Sequence, residues 1–293
     1  MRRAGRTEKS RRNVGHAAPV VTTKLNAGRV GARGWRPSGR EELLLQAALS
    51  PRSEAADAWR CLTRAVDVEE LDAVAHDLLP LLYRSLAAAG VEDPWLGRLK
   101  GVYRRTWYGN QMLLRRAGEA LALLGAVGVD AVVLGGASVG LLHYREVGAR
   151  PMSDTSLAVP PAALGRARAV LSGAGPHTPP VSSADHDLWA ARVPFEVAGT
   201  RAHAPCPADQ LLRTCGIGAL GSSRPDSCRW VTDALAILDS SGERIDWQRL
   251  VARAAERQLA PDLGLTLAYI RDRFGAPVPR EVIRSLSGDA GGP

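Results

Sequence analysis

The chain has 293 residues, 45% of them hydrophobic and 23% charged, with 19 prolines, 30 glycines and a net charge of +8. That balance excludes a wholly disordered chain and a collagen-like one, and the length suffices for one large core or two smaller ones. No apolar run reaches the roughly 18 residues of a spanning helix, and residues 1–40 lack the continuous apolar segment of a secretory signal. A cytoplasmic protein without a membrane partner is therefore expected.

The positive charge is concentrated at one end. Residues 1–40 hold eleven Arg or Lys against Glu8 alone, a net +10, which leaves the rest of the chain at −2. This segment is rich in Arg, Gly, Thr and Pro without apolar periodicity and reads as a disordered basic leader. Nucleic acid is a partner only through that leader, by counterion release, and a solvated tail with no partner is the plainer reading. The four cysteines, Cys61, Cys206, Cys215 and Cys228, form no C-x-x-C pair and read as ordinary thiols.

Beyond residue 40 the pattern is helical. Leu43, Leu44, Leu45 and Ala48 fit one helix, Ala55 to Val66 a second, and Leu71, Val74, Leu78, Leu79, Leu82 and Leu86 a third that Pro80 should kink or break. A long helix follows from about Trp95 to Leu124. The texture changes at Val129-Asp130-Ala131-Val132-Val133-Leu134, a β-branched run bounded by Gly128 and Gly135-Gly136, which predicts a buried strand. A helix from Ala137 to His143 should follow at once. Asp154 to Val159 predicts a second strand, Ala162 to Leu171 a helix, and Phe195-Glu196-Val197 a short third strand. Helices resume over 207–212, 230–238, 247–258 and 262–274. The organisation is thus a leader (1–40), an N-terminal helical region (41–127), an α/β core (128–200) and a C-terminal helical region (201–293).

The chemistry-bearing stretch is Leu134-Gly135-Gly136-Ala137-Ser138 followed by Arg150-Pro151-Met152-Ser153-Asp154-Thr155-Ser156-Leu157. A strand, a glycine pair and a helix start offer backbone N–H groups where phosphates approach closely. Alternate strand positions share a face, so Asp154 and Ser156 would look at one site. Asp154 as a cation ligand competes with Asp154 as a turn cap, and Ser138 as a phosphate contact competes with Ser138 as a cap of its own helix. Asp185, His186 and Asp187 read as a polar loop rather than a metal cluster. Trp230 and Trp247 read as core anchors. No G-x-S-x-G, G-x-G-x-x-G or Walker A pattern occurs in the required context.

Residues 41–290 resemble the uncharacterised bacterial nucleotidyltransferase family, a remote branch of the polymerase-beta-like superfamily. Its pattern, roughly L-K-G-A-A-L, a tyrosine, then R-P-M-x-D-I-D-L-L-V-P, corresponds here to 134–139, Tyr144 and 150–160. A later series appears as Arg229-Trp230-Val231-Thr232-Asp233, Ile245-Asp246-Trp247 and Val278-Pro279, and Leu78 to Tyr83 resembles the family's helical region. The resemblance implies an α+β fold, a small mixed sheet embedded between helical regions. It implies a nucleoside triphosphate substrate, an acceptor that is a small molecule, a peptide or a protein, and Mg²⁺. The backbone at Gly135, Gly136, Ala137 and Ser138 would cradle the triphosphate, Asp154 and Glu196 would hold the metal with help from Ser156, and Arg150 would neutralise developing charge.

The departures fall in the same place. Ser156 stands where the pattern has its second Asp, Gly135 where it has Lys, and Ile217 where a His is usual. Around Glu196 the pattern's His and Trp are replaced by Ala198 and Gly199. A hydroxyl ligates Mg²⁺ without adding negative charge, so metal affinity should fall. Two readings stay open: a nucleotidyltransferase, or a catalytically degenerate relative that binds a nucleotide or a partner through the same cleft.

Overall fold

The computed structural model describes residues 35–68, 75–153, 155–175, 177–218 and 228–288. The basic segment up to residue 34, Leu71 and Val74 of the expected third helix, and Asp154 lie outside them.

The first helix, α1 (Gly39–Leu49), opens on a reciprocal cap. Ser38 Oγ accepts from Glu41 N, and the Glu41 carboxylate accepts from Ser38 N. Helix α2 (Arg52–Ala65) buries Ala55, Trp59 and Leu62, and Trp59 Nε1 donates to Asp93 at 3.0 Å. Pro80 does not kink a helix. It occupies the first turn of α3 (Leu79–Ala88), where its missing N–H has no intrahelical partner to lose. The long helix α4 (Trp95–Ala126) has 32 residues and spans about 48 Å.

Strand β1 (Val132–Leu134) and helix α5 (Gly136–His143) follow as expected, with Gly135 between them at φ 77, a conformation that suits glycine. Then come β2 (Ser156–Val159), α6 (Leu164–Ser172), β3 (Val181–Ser183), α7 (His186–Ala190), β4 (Val193–Val197) and β5 (Thr200–Ala204). Ala198 and Gly199, both at positive φ, make the tight β4–β5 turn. Helices α8 (Pro207–Leu211), α9 (Arg229–Ser241), α10 (Trp247–Glu256), α11 (Ala260–Phe274) and α12 (Arg280–Ser287) complete the fold.

The five strands form one mixed sheet in the order β3-β2-β1-β5-β4. Antiparallel pairing sets Leu134 opposite Ser156, parallel pairing sets Val132 beside His203, and the β4–β5 hairpin sets Glu196 opposite Arg201. One face, with Val133, Leu157, Val159, Val197 and Ala202, packs on Leu114, Ala117, Leu121 and Leu124 of α4 and on Ala167 and Leu171 of α6. The opposite face carries Val132, Leu134 and Ala158 against Ala184 and Leu188. A larger core joins α1–α3 to the helices after the sheet. Trp230 is buried there and Trp247 packs against it, as read from the sequence.

Residues 35–40, assigned to the leader on composition, belong to the folded body. Trp35 stands edge-on to Trp230 and Tyr269 with ring centroids 6.0 and 5.6 Å apart, and Ser38 caps α1. Strands β3 and β5 and helices α7 and α12 are additions to the expected elements. No described helix is long and apolar enough to cross a membrane.

Candidate functional site

Where β1 ends, the double glycine turns the chain into α5. Gly135, the cap residue, has no side chain to satisfy the first N–H groups and is partly exposed. Gly136, Ala137 and Ser138 are buried. Ser138 Oγ donates back to Gly135 O at 3.1 Å, a local bond to a carbonyl, and no side chain caps the first N–H groups of α5. Within the expected phosphate cradle of Gly135, Gly136, Ala137 and Ser138, only Gly135 presents surface. The rest turn inward because α5 lies between the sheet and α9.

Arg150 is buried as well, 6% exposed, and its guanidinium does not face a cleft. Its Nε and Nη2 donate to the two carboxylate oxygens of Asp233, each at 2.7 Å, and Nη1 donates to the carbonyls of Gly136 (3.2 Å) and Pro151 (3.1 Å). Tyr144 Oη donates to Asp233 Oδ1 at 2.8 Å. Burial, reinforced by the Asp233 charge, pushes the Tyr144 phenol well above its ordinary value, so it keeps its proton. Arg150 therefore fixes the first turn of α5 to α9 from behind, through a bidentate buried pair. Asp233 is the anchor of its guanidinium.

The loop that leads to β2 is held by a residue the sequence reading passed over. Asn110, on the buried side of α4, donates through Nδ2 to Val147 O (2.5 Å) and Arg150 O (2.8 Å) and accepts from Met152 N (2.9 Å). The signal was present: a lone amide on the apolar stripe of a long helix must find polar partners. Tyr103, one turn or two earlier, donates to Glu146 at 2.7 Å and lies against Gly148, and its phenol is pushed up to about 12 by burial and that carboxylate. His143, at the end of α5, sits between Gln210 Oε1 (2.8 Å) and Ser240 Oγ (2.6 Å), and burial lowers its pKa.

On the open side, Ser156 lines a hollow of about 410 Å³ with Leu134, Ala158, Ser182, Ser183, Asp185, Asp209, Arg213, Arg253 and Arg257. This volume lies in the range of about 300–1,000 Å³ that holds small molecules. Its acids are engaged. Asp185 caps α7 through Leu188 N and pairs with Arg253 and Arg257, while Asp209 pairs with Arg249 at 2.8 Å. Burial alone raises Asp185, but the Leu188 N–H and the two guanidiniums outweigh it and hold the carboxyl below its usual value. Asp187 binds Arg253, so Asp185 and Asp187 are ion-pair and cap residues, and His186 is 94% exposed. A larger hollow of about 1160 Å³ lies among the helices, with Tyr144 in its wall and neither Ser156 nor Gly135 in its lining.

Glu196 is not brought to Ser156. Both point from the same side of the sheet by alternation, yet β1 and β5 separate their strands, about 14 Å at the usual spacing. Glu196 also lies toward the opposite end of the ladder, opposite Arg201, in a separate hollow with Asp130 and His203. Two ligands of one Mg²⁺ must each lie within about 2.1 Å of it. Among the described residues no group of three or more His, Cys, Asp or Glu side chains is arranged to hold a metal. Among the described residues, the hydroxyls of Ser156, Ser182 and Ser183 with carboxylates committed to arginines do not make up a two-metal centre.

A family model described as "Uncharacterised nucleotidyltransferase" matches residues 64–179 and 175–275. No curated protein and no solved structure matches the chain.

Proposed function

The chain belongs to the uncharacterised nucleotidyltransferase family, and on that premise we propose that it binds a nucleoside triphosphate in the hollow beside Ser156, with attenuated transfer chemistry. The observation that carries the reading is the position of Ser156. It faces the hollow opposite Leu134, one residue before the double-glycine bend, where the family pattern puts a second carboxylate. The phosphates meet Gly135, the partly exposed cap residue of α5, and the hydroxyls of Ser156, Ser182 and Ser183. Arg150 contributes by holding α5 in place rather than by touching the nucleotide.

In this proposal Asp154 would be the one protein carboxylate on Mg²⁺, which when bound would offset the charge of the triphosphate. Glu196, too far across the sheet, is left out. Mg²⁺ sites often use only one or two carboxylates, so binding survives the loss of one. Removing one electrostatic contact of a transition state costs about 10²–10³ in rate, which makes transfer to a small-molecule, peptide or protein acceptor slow.

The test is Ser156→Asp. Restoring a carboxylate on the strand face that lines the hollow should tighten Mg²⁺-dependent binding of a non-hydrolysable nucleoside triphosphate and raise pyrophosphate release. Unchanged or weaker metal-dependent binding in that variant would show that the hollow beside Ser156 is not the nucleotide site. If the variant binds tightly and releases no pyrophosphate, the degenerate, binding-only reading holds.

A further inference from the structure

Helix α4 carries an outer face that the nucleotide site does not explain. Between Trp95 and Gly118 it has six basic side chains, Arg98, Lys100, Arg104, Arg105, Arg115 and Arg116, and no Asp or Glu. All six are exposed. Arg115 pairs with Glu119 in the next turn and Arg98 lies 4.8 Å over the Trp95 ring. Lys100, Arg104, Arg105 and Arg116 enter no ion pair among the described residues. At 100° per residue Arg104, Tyr108 and Arg115 fall along the centre of this face, with Trp107 and Lys100 on one flank and Arg105 and Arg116 on the other. Tyr108 is 63% and Trp107 46% exposed, two of the four large apolar side chains exposed among the described residues.

Two adjacent flat aromatics set among cations along about 27 Å of helix, four of them in no ion pair among the described residues, form a chemical pattern. Phosphates are attracted to the cations, and unpaired bases stack on exposed rings. Gly97, Gly101 and Gly109 sit on the same surface with open space where a Cβ would be, so backbone lies close to anything seated there. A lipid surface would call for a continuous aliphatic stripe, and this face has none between Arg98 and Arg116. We infer that the outer face of α4 binds single-stranded nucleic acid, through its phosphates on Arg104, Arg105 and Lys100 and its bases on Trp107 and Tyr108. This surface is distinct from the basic segment 1–40 and does not depend on turnover at Ser156.

The experiment uses the full chain and fluorescein-labelled single strands of RNA and of DNA, about 12 nucleotides long, followed by anisotropy between about 50 and 200 mM salt. The Trp107→Ala/Tyr108→Ala variant keeps every charge, including those of residues 1–40, and should weaken binding about tenfold or more. Arg104→Gln/Arg105→Gln should reduce the slope of log affinity against log salt by about 1.4. Both pairs are at exposed positions, and thermal melts matching the parent establish that the variants are folded. Parental affinity in the aromatic variant overturns the inference, because the basic leader then accounts for binding. It is equally overturned if anionic vesicles bind and the oligonucleotides do not, or if the aromatic substitutions convert a dimer to a monomer without changing oligonucleotide binding.

Discussion

Two clusters of polar residues flank the double-glycine bend, and they are built in opposite ways. Behind it, Arg150, Asp233 and Asn110 are buried and Tyr144 partly so, and all four side chains are hydrogen-bonded, every bond between 2.5 and 3.2 Å. In front of it, the hollow around Ser156 has hydroxyls and half-exposed ion pairs, with its carboxylates bound to arginines. Arg150, Tyr144 and Asp233, which match the family pattern, thus hold the architecture, while the pattern departs at Ser156 on the other side of the bend. A motif match can report how a helix is anchored rather than what is transferred.

The sharpest way to break this contrast is Asp233→Ala. It leaves the Arg150 guanidinium buried without its carboxylate, which should cost about 3–5 kcal/mol and lower the melting temperature by on the order of 10 °C. A melt within about 2 °C of the parent would mean that the pair is not the anchor described. Asn110→Ala comes next. It strands Val147 O, Arg150 O and Met152 N, and denaturant unfolding should show a loss of about 2–3 kcal/mol.

Smaller effects separate the two sides further. His143 has a lowered folded pKa, so its contribution is complete above the unfolded value near 6.5 and fades as pH falls through the folded one. Stability measured from pH 7 down to 5 should decline in the parent, and less steeply in His143→Asn. On the open side Arg257→Ala removes a pair with 28% and 46% of its side chains exposed, and should change stability by no more than about 0.5 kcal/mol. A loss there as large as that of Asp233→Ala would erase the distinction.

The elements legible in the sequence are those whose local pattern agrees with their burial. The run through Val132-Val133-Leu134 is fully buried and β-branched, and α4 shows its apolar stripe plainly. Strand β5, Thr-Arg-Ala-His-Ala, has weak strand propensity and exists through its pairing with β1 and β4. Strand β3 is short and mostly exposed, so it leaves little trace. Helix α7 hides in a run of acids that looks like a loop until Arg253 and Arg257 are placed against it. At the candidate site, the bend and the strand position of Ser156 were readable. The partner of Arg150 was not, because Asp233 is 83 residues away and spacing carries no information about that contact. Glu196 misled for a related reason: alternation gives the face of a residue but not its place along the ladder.

The amide of Asn110 has a mechanical corollary. By gripping the chain at 147, 150 and 152, it ties the longest helix to the segment that precedes β2. Trp107 lies less than one helical turn from that grip. A strand held on the outside of α4 would thus be tethered, through one amide, to the chain that carries Arg150 and Met152.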